Sequence, residues 1–263
     1  MHVLITGASS GLGEGMARHF ASLGWKLSLA ARREAVLKEL ASSLNTETFV
    51  RPVDLSDLDN CGPAIDEAIQ ALGPIDVLVN NAGIQYVSPY VQTSDEKAET
   101  LFRVDVMAPL RLQRYVLEDM TSRGSGTVVN IASMAGLIPT PGMCLYNGAK
   151  AALAACSESL RVELKGSGVN IITVYPGPVT SQMEATAREQ FSPSWATRQV
   201  PTGTPAGLAK LVSKAILKRR ARVIYPRIYS VSWYARLTSQ WLTNRATPPL
   251  RLSDQGAPTK RTT

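Results

Sequence analysis

At 263 residues, with 44% hydrophobic and 19% charged residues, the chain is long enough for one sizeable α/β domain and too short for two. Two histidines and three scattered cysteines (Cys61, Cys144, Cys156) offer no metal-like ligand spacing and no histidine triad, and unpaired thiols fit a reducing, cytoplasmic setting. The net charge of +7 is unevenly placed, because residues 1–217 carry 18 Lys/Arg against 20 Asp/Glu while residues 218–263 carry 10 against Asp254 alone.

The chain opens directly on a strand pattern, His2–Thr6, so no cleaved leader is expected. No apolar run approaches the roughly 20 residues a bilayer crossing requires. From there, β-rich runs alternate with helical periodicity. A helix over Leu12–Leu23 follows the first strand, then a strand over Lys26–Ala31 and a helix over Glu34–Leu44. Next come strand Thr48–Asp54, helix Asp57–Leu72 and strand Asp76–Asn80. Helix Glu99–Ser122, strand Gly126–Ala132, helix Tyr146–Lys165 and strand Val169–Tyr175 complete the regular part. Such alternation predicts a Rossmann-type, doubly wound α/β fold with a mostly parallel sheet of about seven strands and helices on both faces. Continuous apolar strands such as Val77-Leu-Val and Val128-Val-Asn-Ile fit burial on both sides.

After the sixth strand the pattern loosens. Residues 181–205 are polar and punctuated by Pro and Gly, longer than an ordinary connection, and read as a substrate lid. Met183, Phe191, Trp195 and Val200 within it either line an apolar pocket or pack the lid onto the domain. A helix over Ala206–Leu217 and a run at Arg222–Tyr225 complete a catalytic domain over residues 1–226. Residues 227–245 predict a basic amphipathic helix, with Tyr234, Leu237 and Trp241 at helical spacing, Trp233 eight residues before Trp241, and Arg227, Arg236 and Arg245 around them. Such a helix docks on its own domain or a partner subunit, or lies at an anionic membrane surface. Residues 246–263, with three prolines and little apolar content, predict a disordered tail. The basic tail carries no nucleic-acid recognition motif, so no specific nucleic acid is expected.

Three sequence features carry chemistry. Thr6-Gly-Ala-Ser-Ser-Gly-Leu-Gly13 joins the first strand to the first helix, where glycines admit a pyrophosphate to a helix N-terminus; without a ligand it would be only a tight turn. The second strand ends in Ala31-Arg32-Arg33, where an NAD site presents an acid. An acid would repel a 2′-phosphate that arginine binds, so NADP(H) is expected over NAD(H). Tyr146 and Lys150 stand four residues apart on one helix face, and Ser133 ends a strand where open α/β sheets place ligands. A free tyrosine ionises near pH 10, so a neighbouring ammonium and a positively charged nicotinamide are expected to bring its phenol down.

In these motifs the chain resembles the short-chain dehydrogenase/reductase family, in the shorter branch with Thr-Gly-x3-Gly-x-Gly, over about residues 2–225. The resemblance implies an oxidoreductase that reduces a ketone or aldehyde with NADP(H), and the apolar residues of the lid point to a substrate of apolar, lipid-derived character. Ser133, Tyr146 and Lys150 would then be catalytic, with Ser133, Tyr146 and Met183 at the substrate. It implies cofactor contacts at Gly7, Ser9, Ser10, Gly11, Leu12, Gly13, Arg32 and Arg33, with Asp54 and Leu55 at the adenine, Asn81, Ala82 and Gly83 beside the ribose, and Tyr146 and Lys150 at the nicotinamide end, Lys150 on its ribose. Pro176, Gly177, Val179 and Ser181 would hold the nicotinamide amide. A homodimer or homotetramer packed through the helices near 99–122 and 146–165 is also implied. The chain departs from the family at Asp105, where an asparagine usually helps hold a water linking the lysine to solvent. Asp105 either keeps that relay as an acceptor or serves as a cap or salt-bridge partner. Two rival readings follow: a non-catalytic NADP(H)-binding sensor or scaffold, and an NAD-dependent alcohol dehydrogenase.

Overall fold

The computed structural model describes residues 1–191 and 201–247. Seven strands, β1 (His2–Thr6), β2 (Lys26–Ala31), β3 (Thr48–Pro52), β4 (Val77–Asn80), β5 (Gly126–Ile131), β6 (Val169–Pro176) and β7 (Arg222–Tyr225), form one sheet in the order β3-β2-β1-β4-β5-β6-β7. Every neighbouring pair is parallel. The order reverses between β1 and β4, which opens a crevice at the carboxyl ends of those strands, where ligands of such sheets sit.

The pleat divides the core. Val3 and Ile5 of β1 pack on one side with α1 (Gly11–Ser22), α2 (Glu34–Ser42) and α8 (Pro205–Leu217), through Phe20, Leu37 and Leu208. Leu4 points the other way, to α3 (Cys61–Leu72) and α5 (Ala108–Ser122), through Ile65 and Leu112. Both sheet faces are therefore dry, which is why the strands read as continuous apolar runs and not as alternation.

Several boundaries differ from the sequence expectation. The third strand ends at Pro52, and Asp54 lies beyond it in a turn where its carboxylate accepts the Ser56 N–H at 2.9 Å. The helix expected from Glu99 starts earlier, as α4 (Asp95–Phe102), with the Ser94 hydroxyl accepting from Lys97 N. It then passes through one π turn, Arg103–Met107, before α5 begins. Pro109 in the first turn of α5 has no N–H to give the carbonyl four residues earlier, that of Asp105. The long helix α6 runs Cys144–Glu163, slightly ahead of the expected span.

In the segment expected to be a lid, Ser181 caps α7 (Gln182–Glu189) by accepting from Glu184 N. Its two ends are pinned together, Thr180 N to Gly203 O at 3.0 Å and Gly203 N to Pro178 O at 2.9 Å. Trp195 and Val200 lie outside the described residues, as does the tail from 248 onward.

Residues 227–245 are not one helix. A 3₁₀ turn at Arg227–Tyr229 leads into α9 (Ser230–Tyr234), and Ala235 leaves helical geometry (φ −111°, ψ 50°) before α10 (Arg236–Ala246). The break separates the aromatic residues expected on one face. The Trp233 ring stands edge-on to Tyr175 at 5.1 Å, and Trp241 is 57% exposed. No helix among the described residues is long and apolar enough to cross a membrane.

Candidate active site

The first turn is built for close approach. Gly7 has φ +65°, and a Cβ there would stand 2.8 Å from Ala82 Cα. At Gly13 a Cβ would collide with the Gly7 carbonyl oxygen and stand 2.6 Å from Asn81 Nδ2. Both positions thus require glycine, the first for its backbone and the second for space. Ser10 is extended at the N-cap of α1 and makes no side-chain cap bond, so its hydroxyl and the free N–H groups of the first helical turn are available to an anion. Gly11 has φ +57° and stands close to Ser181, while Ser9 is buried and Leu12 packs against the core.

Arg33 reaches back over this turn. Its Nη2 donates to Ser9 O and Ser9 Oγ, each at 3.0 Å, and its Nε donates to Ser9 Oγ at 3.3 Å. A guanidinium is thereby held over the rim of the phosphate-accepting turn, at the end of a β2 that finishes in Ala31 and not in an acid. Arg32 is exposed next to it, and its charge, after the hydrogen bonds from Ser56, helps hold the Asp54 carboxyl below its ordinary range. Leu55 is buried behind Asp54. These groups suit a nucleotide phosphate, and a nicotinamide dinucleotide fits the cradle that the two glycines leave open.

The second feature is a buried charge pair at the carboxyl end of the sheet. Lys150 Nζ lies 3.1 Å from Asp105 Oδ2 and donates to Ile131 O at 3.1 Å. Asp105 is fully buried in the π turn and also accepts the Ile84 N–H at 2.7 Å. Gly83 closes over the pair, since a Cβ there would meet Asp105 Oδ2 and Lys150 Nζ, both at 3.2 Å. Tyr146 is half-buried one turn before Lys150, whose ammonium lies 5.7 Å from the phenol ring centre. Ser133 follows β5, accepts Ala135 N at 3.1 Å, and its hydroxyl lies near enough to the Tyr146 phenol to favour the phenolate. Asn81 links this cluster to the first turn, because its amide donates to Thr6 O and Gly7 O while Thr6 Oγ1 accepts from the N–H groups of Asn81 and Ala82. Its side chain fastens the turn to the segment that follows β4.

The protein's own groups act on the phenol in the direction opposite to that expected of Lys150 alone. Burial pushes the Tyr146 phenol up, and it outweighs the downward pull of Lys150 and of the Ser133 hydrogen bond; the Asp105 charge adds to the rise. Burial would depress Lys150, yet the anionic Asp105 at 3.1 Å more than offsets it and raises the lysine above its ordinary value. Burial in turn raises the Asp105 carboxyl against the pull of Lys150. The lysine is therefore secured as an ammonium by a charge that works against the tyrosine.

The remaining predicted positions surround the same mouth. Pro176 ends β6 and its carbonyl accepts from Ser133 Oγ at 3.4 Å. Gly177 lies under the Tyr229 ring, which a Cβ would meet at 2.8 Å, and Val179 is buried. Met183 is 41% exposed on α7, and the next residue, Glu184, lies near enough for its charge to act on Tyr146. Sequence reasoning missed the buried amide network behind the site. Asn80 Nδ2 donates to Asn130 Oδ1 at 2.8 Å, and Asn130 Nδ2 donates to Gln113 Oε1 and Ser157 Oγ. The signal available was Asn130 itself, an amide inside the apolar run Val128-Val-Asn-Ile.

The family described as short chain dehydrogenase matches residues 1–192. Among curated proteins, the ketoacyl reductase HetN of Nostoc is 34% identical over 225 residues, 84% of this chain and 77% of that protein. A dehydrogenase/reductase SDR family protein 7-like of Anopheles gambiae is 31% identical, covering 82% of this chain and 72% of its own length. Among solved structures, a short-chain dehydrogenase/reductase from Burkholderia phymatum in complex with NAD superposes with a TM-score of 0.81 at 27% identity, over 95% of this chain and 98% of that one. A short-chain dehydrogenase from Sphingobium yanoikuyae in complex with NADPH gives 0.77 at 26% identity, over 97% and 99%.

Proposed function

The chain belongs to the short-chain dehydrogenase family of oxidoreductases, and from that premise we propose that it is an NADP(H)-dependent reductase of apolar ketones or aldehydes. The observation that carries the reading is the convergence of Ser133, Tyr146 and the Lys150–Asp105 pair beside a glycine turn whose rim holds Arg33.

Bound in the cradle of Gly7, Gly11 and Gly13, the nicotinamide cofactor supplies the hydride. Tyr146 gives its proton to the substrate oxygen, and Ser133 hydrogen-bonds that oxygen as negative charge develops on it. A phenol whose ionisation burial has pushed up suits the acid of a reduction, because it stays protonated at neutral pH until it is used. Lys150, held charged by Asp105, stabilises the phenolate left behind. Asp105 occupies the place of the relay asparagine, accepts from Ile84 N and adds a charge. Arg32 and Arg33 favour the 2′-phosphate of NADP(H), Asp54 and Leu55 lie at the adenine, and Pro176, Gly177, Val179 and Ser181 at the nicotinamide end. Met183 and the lid face of α7 meet the substrate.

A homo-oligomer is part of the proposal. Tyr115 of α5 and Val162 of α6 are 50% and 63% exposed, and a groove of about 410 Å³ lined by Leu110, Leu117, Leu160 and Leu164 runs between these helices, at the end of α6 away from Tyr146. Three free thiols fit a cytoplasmic site of action. The test is NADPH and NADH titration of the purified protein, then a panel of aldehydes and ketones in the same cuvette. Tighter NADPH binding with its oxidation by apolar carbonyls supports the reading. Tight binding without turnover moves it to a sensor, and preference for NADH with alcohol oxidation moves it to the NAD-dependent rival.

A further inference from the structure

The segment that follows β7 has two sides of opposite character. Its inner side is fastened to the loops around the site. Tyr229 OH donates to Pro201 O at 3.0 Å, the Trp233 ring packs on Tyr175, Arg236 Nε donates to Leu137 O at 2.8 Å, and Gln240 Nε2 donates to Pro139 O at 3.1 Å. Arg236 and Gln240, four residues apart, define the inward face of α10. One residue on, and so about 100° around the helix, Leu237 and Trp241 are 87% and 57% exposed, with Leu242 beside them at 54%. Ahead of α10, Ile228, Val231 and Tyr234 are 60%, 66% and 88% exposed. Six large apolar side chains are thus left in solvent on a segment held in place by the others, an arrangement that marks an interaction surface.

Charge decides what covers it. Residues 218–247 contain seven Lys/Arg and no Asp or Glu. Exposed Arg227, Arg236 and Arg245 frame the apolar residues, and the Arg245 guanidinium lies 5.2 Å from the centre of the Trp241 ring. A second copy docking by a two-fold axis would bring this acid-free face against itself, cation against cation. An anionic lipid headgroup layer over an apolar interior complements both features, with tryptophan at the boundary and arginines reaching the phosphates. We propose that α9–α10 is a peripheral docking element for an anionic phospholipid bilayer, with Ile228, Val231, Tyr234, Leu237, Trp241 and Leu242 entering the headgroup boundary. The proposal concerns binding alone and does not depend on the reductase reading. The fastening to Leu137 and Pro139 ties the docked surface to the loop that follows Ser133.

The experiment is co-sedimentation of the full chain with phosphatidylcholine vesicles, with and without phosphatidylglycerol, at low and high salt, together with analytical ultracentrifugation without lipid. Expected is pelleting with the anionic vesicles that high salt abolishes and a blue shift of tryptophan emission that Trp241→Phe diminishes. Arg227→Gln and Arg245→Gln should each weaken partitioning about fivefold, and Trp241→Ala about tenfold. These side chains are exposed, so the variants should fold, which circular dichroism checks. Equal partitioning of all variants, or no pelleting with anionic vesicles, overturns the proposal. So does concentration-dependent self-association that Leu237→Glu abolishes without any lipid binding, which would assign the face to a second copy.

Discussion

Asp105→Asn separates a charge from a shape. The amide keeps an oxygen for Ile84 N but removes the anion 3.1 Å from Lys150, leaving the buried ammonium with Ile131 O as its remaining hydrogen-bond acceptor among the described contacts. Breaking a buried ion pair on one side costs about 3–5 kcal/mol. The single amide oxygen is taken by Ile84 N and the Nδ2 that then faces the ammonium returns nothing, so the full loss of about 3–5 kcal/mol is expected. For a chain of this length that is a fall in Tm of about 6–15 °C. Turnover should stay within about tenfold, because Tyr146, Ser133 and Lys150 all remain. The pH profile should move, however. Asp105 is among the groups that raise the Tyr146 phenol, and a reduction needs that phenol protonated. Without the anion the alkaline limb of kcat shifts to lower pH. The assay is differential scanning calorimetry of the two proteins beside kcat-against-pH curves with NADPH and an accepted carbonyl. An unchanged limb with an unchanged Tm would refute the electrostatic account of the pair. A loss of turnover beyond about a hundredfold with intact NADPH binding would show that the charge itself is required for a chemical step.

Other perturbations give simpler outcomes. Arg33→Ala removes three hydrogen bonds to Ser9 and a guanidinium from the turn, and should weaken NADPH by about tenfold to a hundredfold while leaving NADH nearly untouched, as measured by fluorescence titration. His2 is buried, with Nε2 2.8 Å from Ser28 Oγ and Nδ1 2.8 Å from Gly73 O, and burial holds its pKa below 6.5. The unfolded chain therefore binds the proton more readily, so stability falls as pH drops below about 6.5; urea titrations across that range should show the fall and His2→Gln should flatten it.

The sheet was legible because its central strands are dry on both faces and read as nearly unbroken apolar runs, as in Val77-Leu-Val. Ser133, Tyr146 and Lys150 were legible because a helix repeats every 3.6 residues and strand ends are marked by turn residues. What escaped the sequence depends on distant partners. A single π turn adds one residue to a helical pattern and leaves the apolar period almost intact, so Arg103–Met107 passed as ordinary helix, although Pro109 was a usable warning. The break at Ala235 had no Gly or Pro to announce it; Trp233 is drawn onto Tyr175 while α10 follows its own bonds to Leu137 and Pro139. The direction of the Tyr146 shift was hidden because Tyr-x3-Lys reveals the ammonium but not the burial around the phenol.

The most direct test of the proposed chemistry is Tyr146→Phe, which removes one oxygen and leaves the cofactor cradle untouched. Single-turnover mixing of the NADPH-loaded variant with the best carbonyl of the panel should show binding within about threefold of the parent and a rate of NADPH oxidation at least about a thousandfold lower. Oxidation at the parent rate in the phenylalanine variant would mean that another group supplies the proton, and the assignment of Tyr146 would fall.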